Sequence, residues 1–115
     1  MANAFLDQGL ALLEQGDWAG AIDSLRWAKD AEPGNASIFL TLIDAYERAA
    51  LRENEPDLIQ QAWNVCRDLR DRRLPMSARE SAAFYDTFVR VRDKVVAARA
   101  TGWTPPPPKE QMQRG

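Results

Sequence analysis

The sequence predicts an all-α protein of about five helices arranged as antiparallel helix-turn-helix units. Three observations carry this. Alanine, the best helix former, is the commonest residue, at 18 of 115. β-Branched residues are sparse, and no segment alternates apolar and polar side chains as a half-buried strand does. Prolines at 33, 56 and 75, then in a run from 105 to 108, cut the chain into helix-sized pieces, because proline ends a helix or sits in its first turn.

The first helix is expected over residues 3–15, where Phe5, Leu6, Gly9, Leu10, Leu12 and Leu13 recur at three- and four-residue steps. Gly16 stops it, and Asp17 is a suitable N-cap for the second helix, which carries Trp18, Ala21, Ile22, Leu25, Trp27 and Ala28. The turn Glu32-Pro33-Gly34-Asn35 follows, with Asn35 able to cap a third helix over about 36–50 whose inward face holds Ile38, Phe39, Leu42, Ile43 and Tyr46. A charged loop, Arg52 to Glu55, leads to Pro56 in the first turn of a fourth helix over about 56–72, burying Leu58, Ile59, Ala62, Trp63, Cys66 and Leu69. Pro75 ends it. Ser77-Ala78-Arg79-Glu80 reads as a capping box for a long fifth helix to about residue 99, with Phe84, Phe88, Val91 and Val95 on one face. The reading is one helical domain over 1–100 and an extended, proline-rich tail over 101–115, its four successive prolines in polyproline II.

Composition removes many functions. The chain has no histidine, so Ser-His or Cys-His catalysis and a histidine metal site are excluded. A single cysteine, Cys66, forms no intrachain disulfide and no cysteine zinc site. No glycine-rich phosphate loop is present, and Glu53 and Glu55 lie in a loop. No enzyme activity, cofactor or metal is therefore expected, and no catalytic, cofactor or metal residue is assigned. No apolar run is long enough to span a bilayer, and the first residues lack the basic start of a secretory signal. The expected location is the cytoplasm. The formal net charge of −2 argues against nucleic acid, but charge is uneven: residues 1–66 carry net −7 and residues 67–99 net +4. The basic stretch, which includes Arg67, Arg70, Arg72, Arg90 and Lys94, is read as a solvated face, with self-association or an acidic partner as the functional alternatives.

A repeat is visible in the first helix pair. Gly9, Ala21, Leu25, Ala28 and Pro33 are separated by 12, 4, 3 and 5 residues. This spacing resembles the tetratricopeptide repeat, a helix-turn-helix unit of 34 residues. Gly16 to Ile22 looks like that family's inter-helix turn, and Ala28 to Ala36 like its repeat-to-repeat junction. The residue types have a physical reason: Gly9 and Ala21 are small so that two helix backbones approach, and Leu25 and Leu12 fill the space between. The second unit is degenerate. Phe39 and Tyr46 lie one period after Phe5 and Leu12, but Ile43 stands where a small residue is usual. The register then requires an insertion around Arg52–Pro56, which brings Ala62 and Cys66 to the small and large positions. The fifth helix is similar to a terminal capping helix of such arrays.

The resemblance implies a function in binding another protein. It places Asn3, Leu6, Leu10 and Leu13 of the first helix and Ser37, Leu40, Asp44 and Glu47 of the third on a concave groove. A leucine-lined groove suits an apolar or amphipathic helix; the alternative is that the fifth helix folds back into it. The lysine, asparagine and arginine set with which one subgroup grips a C-terminal carboxylate is absent, so that activity is not carried over. Trp18 and Trp63 have core registers. Trp103 either tucks onto the domain or anchors the tail to a partner, and is read as the latter, with Pro105 and Pro106 as further contacts. The expectation is an adaptor or accessory subunit of an assembly, its partner another protein or a second copy of the chain. A chaperone-like module that transiently holds an amphipathic segment is the alternative.

Overall fold

The computed structural model describes residues 3–53 and 55–104. Within them are five helices and no strand: α1 Ala4–Glu14, α2 Trp18–Ala31, α3 Ala36–Glu53, α4 Pro56–Arg72 and α5 Ala78–Ala100. Local chemistry sets most of the boundaries. Asn3 caps α1 by accepting from the Phe5 and Leu6 amides, and Asp17 caps α2 by accepting from Gly20 N. The Asn35 side chain accepts from Ser37 N at the start of α3. Ser77 and Glu80 close the reciprocal capping box of α5. Gly16 adopts a φ of +78°, a left-handed conformation that an L side chain resists, which lets the chain reverse in three residues.

α3 runs to Glu53 and so takes up Leu51 and Arg52, beyond the end expected near residue 50. Ala49, Ala50, Leu51 and Arg52 are strong helix formers, and no breaker stands before Pro56. α3 is also the centre of the fold. Ile38, Phe39, Leu42 and Ile43 are fully buried, and each helix packs on the next in the chain, with α5 also reaching α3.

The first hairpin closes through its smallest residues. A Cβ built on Gly9 would lie 2.8 Å from Leu25 Cδ2 and Cγ and 3.6 Å from the Ala21 carbonyl oxygen, so only glycine admits this approach without displacing Leu25. Asn3 secures the other end: its amide nitrogen donates to Ala28 O at 3.2 Å and to Glu32 Oε1 at 2.9 Å. It thus caps α1 and ties it to the end of α2, a structural task in place of the groove position expected for it. Trp27 of α2 is 56 % exposed and meets Phe5 edge-on at 5.6 Å between ring centroids.

α5 lies along α4, with Val91 and Val95 buried and Phe88 packed on Trp63 at 4.8 Å between centroids. The turn after it returns Trp103 to the start of α4, where its indole N–H donates to Asp57 Oδ1 at 3.0 Å. Trp103 therefore rests on its own domain, the first of the two placements open to it. Pro105 and Pro106 lie outside the described residues.

Candidate functional site

Two concave surfaces flank α3. The first lies between α1 and α3, has a volume of about 530 Å³, and is lined by Leu10, Leu13 and Leu40 together with Glu14, Ser37, Thr41, Asp44 and Arg48. Helical periodicity produces it: Leu10 and Leu13 share one stripe of α1, and Leu40, Asp44 and Arg48 share one stripe of α3, while Leu6, expected in the groove, packs against the core and is not among the residues that line it. Leu6, Leu13 and Leu40 have one side against the core, whereas Leu10 is 43 % exposed. Asp44 and Arg48 pair across one turn at 3.0 Å with both side chains about half exposed, so the pair adds little stability and leaves a polar edge on an apolar floor. No residue of α5 lines this groove.

Glu47, expected in the same groove, is only 7 % exposed and belongs to a different contact. Its carboxylate accepts from Arg90 Nε at 2.8 Å and Arg90 Nη2 at 2.7 Å, a two-pronged grip, and from Lys94 Nζ at 3.2 Å. Burial pushes its carboxyl up, but the hydrogen bonds and charges of Arg90 and Lys94 outweigh burial and hold it below the ordinary value. The same contact raises the Arg90 guanidinium. Two of the basic residues on α5 thus serve as a clamp to α3. Arg70, Arg72 and Arg92 pair with Asp71, Asp68 and Asp93 at 3.1, 2.9 and 3.4 Å, which breaks the basic stretch into local pairs.

The second surface is a cleft between α2 and α4 with a volume of about 1150 Å³. Leu42, Tyr46 and Ala49 of α3 line it, together with Trp18 and Ile22 of α2 and Leu58 and Val65 of α4. Two buried polar atoms of its lining have no hydrogen-bond partner among the described residues: the donor Trp18 Nε1 and the acceptor Gln60 Oε1. Burial also pushes the Tyr46 phenol up. Sequence reasoning had Trp18 as a core residue and did not find this cleft. Its lining comes from three helices and Arg99 of a fourth, α5, and no spacing along the chain reports that α2 and α4 stand apart.

Cys66 is fully buried, and burial together with the nearby Glu47 charge pushes its thiol up to about 12, so it is a neutral thiol at pH 7. Among the described residues no group of three or more acidic or thiol side chains is placed to hold a metal ion, and no helix is long and apolar enough to cross a membrane. Comparison with protein-family models, curated proteins and solved structures finds no match to this chain.

Proposed function

We propose that this chain is a small tetratricopeptide-like module that binds another protein, as an adaptor or accessory subunit, through the groove between α1 and α3. The observation that carries the reading is an apolar groove left open beside a filled core. Leu10, Leu13 and Leu40 face it, and α5, which had been the competing occupant, is held elsewhere by Glu47. Such a surface suits the apolar stripe of an amphipathic helix, whose polar side would meet Glu14, Asp44 and Arg48. The close Gly9–Leu25 contact supports the repeat assignment, because it supplies the physical need for the small residue in that spacing. Barely two and a half units are present, and arrays of this kind bury their end faces against neighbours, which favours a subunit over a free monomer. A cytoplasmic location accords with the buried, unpaired cysteine.

The test is capture of a partner by the full chain from the cells that make it. Leu10→Lys with Leu40→Lys is expected to abolish a partner retained at fixed stoichiometry, with helicity by circular dichroism unchanged. Leu51→Lys, at a site on α3 that is 83 % exposed and outside the groove, is expected to retain it. Equal capture by both variants would refute the groove assignment.

A further inference from the structure

We propose that copies of this chain associate head to tail, the outward stripe of α2 in one copy docking on the outward stripe of α5 in the next. This contact is separate from the α1–α3 groove. Because each helix packs on the next in the chain, α1 and α2 end the stack on one side and α5 ends it on the other. Each end carries an exposed apolar stripe. On α2, Trp27 lies five residues after Ile22, about 140° round a helix of 3.6 residues per turn. It therefore points away from the α4 side, where Ile22 lines the cleft. On α5, Tyr85 is 69 % exposed and Val96 60 % exposed. They follow directly on Phe84, packed on the core, and on the buried Val95, and so stand roughly 100° round the helix from them. Arg90 and Lys94, which reach Glu47 of α3, lie on the other side. Tyr85 and Val96 are thus turned away from both α4 and α3.

The charges that flank the two stripes are opposite in sign and equally spaced. Asp23, Trp27 and Asp30 follow one another at steps of 4 and 3 residues on α2, and Arg92, Val96 and Arg99 at the same steps of 4 and 3 on α5. All six side chains are exposed. Each pair of like charges is separated by about 10 Å along its helix, at roughly 1.5 Å per residue. Trp27 laid against Val96 brings two carboxylates opposite two guanidinium groups, whether the helices run parallel or antiparallel. Asp23, Asp30 and Arg99 make no ion pair among the described residues, and Arg92 holds only its neighbour Asp93, at 3.4 Å. The bases of α2 stand elsewhere: Lys29 lies over the Phe39 ring at 5.6 Å, and Arg26 lines the cleft. The same polarity runs through the whole chain, net −7 over residues 1–66 and net +4 over 67–99, so unlike ends attract and like ends repel. Because the contact joins two different surfaces, each pair of copies keeps one of each free and further copies add.

Sedimentation velocity of the full chain over a range of concentrations tests this. The mean mass is expected to rise with concentration past that of a dimer, and to fall when salt is added. Asp23→Arg with Asp30→Arg should weaken association about tenfold, the scale of two exposed ion pairs. Arg92→Asp with Arg99→Asp should do the same. A chain with all four substitutions should recover association, and so should an equimolar mixture of the two double variants, which damage to the fold would not produce. Circular dichroism of each variant reports the helices. A chain that stays monomeric at every concentration would overturn the proposal and leave these stripes to a different protein. So would a mass that stops at the dimer and ignores Asp23→Arg with Asp30→Arg, which would set α5 against α5. Failure of both the fourfold variant and the mixture to associate, with helicity unchanged, would overturn it as well.

Discussion

Replacing Gly9 by valine is expected to lower the stability of the fold by about 2 kcal/mol, the scale of overpacking a filled core. The opposing gain in helix propensity is smaller, roughly 0.5 kcal/mol. The added Cβ alone would stand 2.8 Å from Leu25 Cγ and Cδ2, and Leu25 is fully buried, so it has no free rotamer to retreat into. The prediction has an internal control. Leu25→Ala by itself should cost about 2–5 kcal/mol through lost burial and a cavity. In that background Gly9→Val should cost little or become stabilising, because the new methyls occupy the vacated space. Urea unfolding of the four proteins in this cycle measures the coupling. Equal cost of Gly9→Val in both backgrounds would mean that the two helices do not meet through this pair.

The second large effect is expected at the α3–α5 clamp. Glu47→Gln keeps the shape but removes the charge, and turns an amide N–H₂ toward the Arg90 and Lys94 donors. With the carboxylate buried and both cations about half exposed, the expected loss is about 1–2 kcal/mol at pH 7. The acid dependence has a definite sign. The folded carboxyl lies below its ordinary value, so its contribution is fully present above the unfolded carboxyl range near roughly 4.3 and is lost as pH falls through the lower folded value. Unfolding of both proteins by urea at pH 7, 5 and 3 checks this. The gap between them should stay open at pH 7 and 5 and narrow by pH 3. A gap of the same size at all three would show that Glu47 acts through shape and not charge.

The helix boundaries were legible because they rest on residues that act on their immediate neighbours. Asp17, Asn35 and Ser77 cap within three residues, Gly16 reverses the chain on its own, and Pro56 sits in a first turn. The closure of the first hairpin was legible for a related reason: a glycine and an alanine at that spacing have a use only if two backbones meet there. Residues whose surroundings come from far along the chain carry no such signal. Glu47 shares its helix face with Asp44 and Leu40, but α1 lies beside one end of that face and α5 beside the other, and Arg90 is 43 residues away. Trp27 has an apolar residue's spacing but faces outward with Phe5 at the open side of the first hairpin. Trp103 carries no local signal for the Asp57 carboxylate it finds. The α2/α4 cleft is a space between elements, and only the two unpartnered atoms at its wall mark it.

The central claim, that α1 and α3 hold a partner between them, is tested most directly by finding which surface the partner touches. A photoactivatable benzophenone side chain is placed at position 10 in the full chain, and in a separate preparation at position 51, and each is irradiated in the cells that make the protein. The account predicts a covalent adduct with one protein from position 10 and none from position 51. An adduct from position 51 alone, or from neither, would contradict it.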